Sequence, residues 1–268
     1  MGTAFRRLLD DGCISLFRED LDLSRPESIP AVLERVGPDA VINCAAYTKV
    51  DQAEDEEELA TAVNGTAVGA LAEWCARRRR PLLTFSTDYV FDGEADTPYL
   101  ESSPTDPVNA YGRSKLVGEK SAVEAGALVV RTSWVISGSH PNFVATMLRL
   151  AGEGRDLRVV DDQVGCPTIA HDLAVTSLEA FRAGATGLLH VTNQGPTTWF
   201  RLARASVELA GFDPGLINPC STAEYPTKAT RPAYSVLASE RAAGLGVELP
   251  PPWETSLPDV VSEIKTWL

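Results

Sequence analysis

Short apolar runs alternate with longer stretches of helical periodicity along the first half of the chain. Cys13–Phe17, Ala40–Cys44, Leu82–Ser86 and Ala127–Arg131 are short, rich in Val, Ile, Leu and Phe, and bounded by polar residues or Pro. That pattern predicts buried strands. Between them, Ile29–Val36, Ala53–Arg78 and Tyr111–Glu124 repeat apolar positions at helical spacing with few breakers. Strand and helix alternating at this spacing predict an α/β fold, a parallel sheet covered by helices on both faces. After Arg131 the alternation loosens. Phe143–Ala151, His171–Ala183 and Trp199–Ala210 have helical periodicity, separated by the loops Asn193–Thr198 and Pro219–Pro232. The expected division is a sheet domain over 1–135 and a smaller lobe over 136–268, with some of its segments returning to the sheet.

Composition narrows this picture. The 268 residues are 44% hydrophobic and 23% charged, ordinary for a globular chain and unlike a disordered one. The formal net charge of −13 opposes binding to nucleic acid or to an anionic membrane. No apolar run approaches the roughly 20 residues a bilayer crossing needs, and the N-terminus has no signal-peptide core. Five scattered cysteines without a C-x-x-C pair suit a reduced, cytoplasmic protein. His140, His171 and His190 are far apart, so no catalytic metal is expected. The acidic run Asp51–Glu58 is expected to stay solvated at a helix start, and Arg77–Arg80 to complement a helix end.

The chemistry-bearing residues cluster in two places. Leu82–Ser86 runs into Thr87 and Asp88, and in an open parallel sheet ligands bind beyond the carboxyl ends of strands. Tyr111 and Lys115 are four apart on a helix and project from one face. A free phenol, with a pKa of about 10, is a poor proton donor near neutral pH. A nearby ammonium is expected to lower that value and make the phenol a usable acid toward a carbonyl oxygen. Thr87 can hold the same oxygen. By themselves these residues suggest a carbonyl oxidoreductase.

Several motifs carry a resemblance. Ser-Thr-Asp-Tyr-Val-Phe-Asp-Gly (86–93) and Tyr111-x-x-x-Lys115 resemble the extended short-chain dehydrogenase/reductase family, which has a Rossmann-like doubly wound sheet and a smaller substrate lobe. Val41–Asp51, Arg131-Thr-Ser-Trp-Val135, Asp162–Thr168 and Arg231-Pro232 are similar to its dTDP-4-dehydrorhamnose reductase branch. The resemblance runs from about residue 2 to the C-terminus. It implies hydride transfer from NADPH (or NADH) to C4 of a dTDP-4-keto-6-deoxyhexose, and a homodimer is compatible with it. By that reading Tyr111 delivers the proton, Lys115 tunes it and contacts the nicotinamide ribose, and Thr87 orients the carbonyl. Asp88 and Trp134 match substrate-contact positions, with a core role for Trp134 equally open. Ala46, Tyr47 and Thr48 match backbone contacts to the dinucleotide, Asp22 and Leu23 the adenine-side turn, and Phe85 the nicotinamide side. Arg18 matches a partner for a 2′-phosphate, or is a solvated arginine.

The chain departs from the family pattern at its start. Gly2 corresponds to the last glycine of a phosphate-binding loop, and Thr3–Asp11 to the first helix. The preceding strand, central in a sheet of order 3-2-1-4-5-6, has no counterpart, which predicts two strands short of a partner. The expectation is that translation begins upstream of Met1, the alternative being a real truncation that loosens the hold on the dinucleotide. Two rival readings stay open: a 4-ketoreductase for another dTDP-deoxysugar, and a non-catalytic binding subunit such as the regulatory subunit of methionine adenosyltransferase.

Overall fold

A computed structural model describes residues 1–9 and 12–268. Its main sheet has four parallel strands, in the spatial order Val41–Asn43, Leu82–Thr87, Leu128–Thr132 and Gly187–His190. The pairing aligns Leu83 with Leu128, and Thr87 with Thr132. Side chains alternate across the pleat. Leu83, Leu128, Val130 and Leu189 therefore face one layer, holding Phe5, Leu173 and Leu178, while Leu82 and Val129 face the other, with Ile29, Leu33, Leu71 and Trp74. These two cores make the doubly wound fold that the alternating pattern predicts.

The C-terminal half builds a separate core from Val144, Leu148, Leu202, Val207, Leu257 and Val261, among others. Sequence periodicity missed its short strands: Leu157–Val160 pairs with Ile217–Cys220, Val135–Ile136 with Thr168–Ile169, and Val164–Gly165 with Thr197–Thr198. The last two residues of the expected loop Asn193–Thr198, and the start of the expected loop Pro219–Pro232, are thus strand. Helix Trp253–Lys265 also escaped notice, since Pro258 interrupts its sequence signature.

Three expectations are corrected. Cys13–Phe17 forms no strand, and Ile14 and Phe17 are 66% and 52% exposed. A strand is made by ladder hydrogen bonds; among the described residues none offers this segment a partner, and Val41–Asn43 is left as the edge of the sheet. The expected helix Ala53–Arg78 is divided into Val50–Ala53, Glu57–Thr61, a π-helical turn Ala62–Thr66, and Ala67–Arg78. The π turn lies where this helix crosses helix Ala110–Glu124: a Cβ at Gly65 would meet Val117, and one at Gly118 would run into the Asn64 carbonyl oxygen. The helix expected over Thr3–Asp11 covers Gly2–Leu8; its expected end, at Asp10 and Asp11, lies outside the described residues.

The acidic run is the third correction, because it is not simply solvated. Asp51 takes a bidentate hydrogen bond from Arg231 at 2.9 and 2.8 Å and also accepts from the Ala229 amide. Glu54 accepts from the Ala110 amide, Glu57 pairs with Arg113, and Asp55 with Lys228. Opposite charges placed across from these residues by the fold turn a helix-start pattern into a seam between three segments. Arg77 and Arg78 close the last turn of a helix, as their position suggested, and Arg77, Arg78 and Arg80 also pair with Glu73, Glu34 and Asp39.

Under the sheet ends lies a buried ionic node. Arg131 Nε and Nη2 donate to the two Glu119 oxygens at 3.0 and 2.5 Å, and both side chains are only 3% exposed. The Arg131 guanidinium sits 5.0 Å over the Phe91 ring, and its Nη1 reaches the Glu101 carbonyl. Glu101 in turn accepts from the His190 amide and the Ser239 hydroxyl. Removing one member of such a pair strands a buried charge. Glu119→Ala should therefore cost about 3–5 kcal/mol in urea unfolding; a loss below about 1 kcal/mol would show that the pair is not what holds these segments together.

Candidate active site

Strand Leu82–Thr87, with strands on both sides, ends in a single 3-10 turn, Asp88–Val90. The Thr87 hydroxyl donates to Asp88 Oδ1 at 2.9 Å and accepts from the Tyr89 amide at 3.2 Å, so the turn is fixed by its own cap. Three oxygens at these strand ends, Ser86 Oγ, Asp88 Oδ2 and Thr132 Oγ1, are buried without a hydrogen-bond partner. Leaving a buried polar atom unsatisfied costs about 1–3 kcal/mol, a cost that functional sites commonly carry. Burial pushes the Asp88 carboxyl up to about 6, with the Ser235 and Thr87 hydroxyls opposing.

Helix Ala110–Glu124 delivers the other groups. Asn109 caps it, Oδ1 accepting from the Gly112 amide at 2.8 Å, while its Nδ2 donates to the Thr230 carbonyl. Position 112 must be glycine, since a Cβ there would strike the Tyr89 carbonyl oxygen. This close approach lays the first helical turn against the turn that follows Thr87. Tyr111, half-buried, then meets Thr87, whose hydroxyl acts on the phenol. Lys115, 4% exposed, donates from Nζ to the Phe85 carbonyl at 2.6 Å.

The electrostatics differ from the sequence expectation. Burial pushes the Tyr111 phenol up to about 12, the Thr87 hydroxyl opposing and the Asp88 charge adding to it. Burial also brings the Lys115 ammonium down to about 8, with Glu119 opposing. The expected lowering of the phenol by Lys115 is not found: desolvation raises it, and the ammonium directs its hydrogen bond to a backbone carbonyl.

The residues assigned to a dinucleotide fall into two groups. Ala46, Tyr47 and Thr48 follow the edge strand, the first two half-buried and Thr48 exposed. Asn64, 1% exposed in the π turn, accepts from the Tyr47 amide at 2.8 Å and donates to the Tyr47 carbonyl and to Ser114 Oγ. It thus ties this loop to the helix of Tyr111 and Lys115. The Tyr47 ring packs with Tyr111 on Ala53, Ala60 and Ala110, and its hydroxyl donates to Glu56. Phe85 is half-buried, 5.9 Å from Phe5. Arg18, Asp22 and Leu23 have local contacts instead. Arg18 is 80% exposed, 3.6 Å from Asp22; Asp22 accepts from the Ser24 amide and hydroxyl; Leu23 is a core residue.

Trp134 adopts a left-handed backbone, φ 45°, unusual for a bulky residue. Its indole stacks on Trp199 at 3.7 Å and fills the space over Gly165, where a Cβ would collide with it. It remains half-buried, packed against the C-terminal core on one side. Asn64, Asn109 and the Asp51–Arg231 pair were not singled out from sequence. Asn64 carried only the signal of a lone Asn among apolar residues of a helix, while Asp51 and Arg231 stand in the motifs that carry the resemblance.

A family model described as the RmlD substrate binding domain matches residues 1–266. A dTDP-4-dehydrorhamnose reductase from Burkholderia thailandensis is 43% identical over 256 residues, 88% of this chain and 86% of the relative. A probable dTDP-4,6-dihydroxy-2-methyloxan-3-one 4-ketoreductase from Streptomyces antibioticus is 40% identical, covering 97% of this chain and 90% of its own. The crystal structure of a Bacillus anthracis dTDP-4-dehydrorhamnose reductase in complex with NADP superposes with a TM-score of 0.91 at 33% identity, over 98% of this chain and 95% of that one.

Asp88 makes stability depend on pH. Its carboxyl holds a proton more tightly folded, near pH 6, than unfolded. Its stabilising contribution is complete below about pH 4 and is lost as the pH rises through about 6. Asp88→Asn, which cannot ionise, should lose less stability than the parent between about pH 5 and pH 7.5 in urea unfolding; equal losses would place the carboxyl outside this balance.

Proposed function

Because the chain belongs to the RmlD substrate-binding-domain family, we propose that it reduces the C4 keto group of dTDP-4-dehydro-L-rhamnose to give dTDP-L-rhamnose, with NADPH as reductant, in the cytoplasm. The observation that carries this reading is the meeting of Thr87, Tyr111 and buried Lys115 at the carboxyl end of one strand. The NADP complex of the Bacillus anthracis relative supports the choice of cofactor. The absence of any long apolar helix among the described residues agrees with a protein that does not cross a membrane by a helix.

The residues at the strand ends fit a nicotinamide cofactor. Ser86 Oγ and Thr132 Oγ1 are buried hydroxyl oxygens without partners, and Lys115 and the Ala46–Thr48 backbone would hold the ribose and phosphate groups. Arg18 is exposed and only loosely held by Asp22, so it is free to turn to a 2′-phosphate. Bound there, the cofactor supplies a hydride. The protein supplies the proton. Tyr111, with its phenol held protonated far above neutral pH, donates to the carbonyl oxygen as negative charge grows on it. Transfer is downhill because an alkoxide is a stronger base than a phenolate. Thr87 shares the same oxygen and sets its direction. Asp88, ionised at neutral pH, accepts from a sugar hydroxyl, and Trp134 offers an apolar wall.

The Streptomyces antibioticus relative favours a second reading of the sugar alone, a 4-ketoreductase for another dTDP-deoxysugar. The test follows NADPH oxidation with dTDP-4-dehydro-L-rhamnose and with dTDP-4-keto-6-deoxy-D-glucose. The first should be turned over faster. Tyr111→Phe should lose about a hundredfold or more in kcat while NADPH fluorescence titration is unchanged. Full turnover in Tyr111→Phe would overturn the assignment of the proton donor, and no turnover by the parent would favour a binding subunit.

A further inference from the structure

Tyr111, Lys115 and Glu119 stand at successive i, i+4 positions of helix Ala110–Glu124 and so share one face. Lys115 and Glu119 are each 4% exposed. An ammonium this far from water needs a counter-charge or it gives up its proton. The one hydrogen bond Lys115 makes among the described residues is to the neutral Phe85 carbonyl. Glu119 is itself prevented from turning away: both its oxygens are gripped by Arg131, and the guanidinium is backed by the Phe91 ring.

We propose that Glu119 is a positioning residue for the reduction: its buried carboxylate, locked by Arg131 one helical turn beyond Lys115, is the counter-charge that keeps the Lys115 ammonium in place beside Tyr111. The proposal rests on the ketoreductase reading. It gives the ion pair a second task besides joining strand and helix. Other charged groups stand around this face; those of helix Ala67–Arg78 are held in surface ion pairs. The turn after the strand carries Asp88 and Tyr89, Arg131 comes from strand Leu128–Thr132, and His190 from Gly187–His190. Strand Leu82–Thr87 and the π turn carry no titratable side chain. Asp51 and Glu57, from the short helices packed on this one, are directed to Arg231 and Arg113. Of all these, Glu119 is the charge that bears on Lys115.

The test compares Glu119→Gln, and a neutral pair Glu119→Gln/Arg131→Met, with the parent. The double variant removes both members of the ion pair, so neither is stranded without the other, and it should fold even where the single one does not. Two quantities are read. One is the NMR midpoint of Lys115 in protein labelled with 13C at the lysine ε carbon, the signal being identified by its loss in Lys115→Met; the chain has only five lysines. The other is the alkaline limb of kcat/KM. Both should move down by about half a pH unit or more in the folded variants, and Glu119→Asp should restore most of the shift. An unchanged midpoint in a folded variant would overturn the proposal, leaving Glu119 a purely structural partner of Arg131. A parent that shows the midpoint but no reduction would instead count against the ketoreductase reading, so the two failures are distinguishable.

Discussion

The buried Arg131–Glu119 pair is the constraint on which the arrangement of the molecule depends. A guanidinium and a carboxylate this deep are tolerable only when each satisfies the other's hydrogen bonds. That condition ties strand Leu128–Thr132 to helix Ala110–Glu124. The same guanidinium gathers the Phe91 ring and the Glu101 carbonyl, and Glu101 extends the node to His190 on the outer strand and to Ser239 near the C-terminal end. Burial holds His190 well below the usual histidine range, so it stays neutral beside this ionic group. Five segments distant in sequence thus meet at one point, beneath the residues placed in catalysis.

Close backbone approach completes what charge begins. Helix Ala110–Glu124 can lie against the turn of Tyr89 because residue 112 has no side chain, and against the π turn because residues 65 and 118 have none. The π turn is a local cost in regular hydrogen bonding, and it is offset by turning Asn64 inward to hold the Tyr47 backbone and Ser114 together. The groups proposed for catalysis therefore stand on rigid elements whose separation is fixed by contact. The acidic seam from Asp51 to Glu57 then pins the loop around Lys228 and Arg231 over the same helix end.

Local pattern made much of this legible. Strand-helix alternation locates three of the four main strands, because buried parallel strands are short apolar runs wherever they occur. The Tyr111 and Lys115 pair and Thr87 were legible from motif spacing, and their meeting follows from the topology. What local pattern does not carry is pairing. Cys13–Phe17 has the composition of a strand, yet composition cannot supply a neighbour. The acidic residues look solvated until the fold brings Arg231, Lys228 and Arg113 opposite them. The phenol of Tyr111 shows the same limit in electrostatics. Spacing announces an ammonium nearby, whereas the depth at which both groups are buried, which decides the sign of the shift, belongs to the tertiary structure.

The edge strand Val41–Asn43 has a consequence for how the protein behaves in bulk. Its outer row of backbone donors and acceptors is unmatched by any other described strand, and the exposed Ile14 and Phe17 add stickiness elsewhere on the surface. Such an edge is a template on which a further extended chain can lay itself. Like-charge repulsion from a net −13 keeps copies of the molecule apart in dilute buffer. Salt shortens the reach of that repulsion to about 10 Å at 0.1 M and less beyond. Colloidal behaviour is therefore governed by ionic strength, and purification at high salt brings the open ladder within range of its own kind.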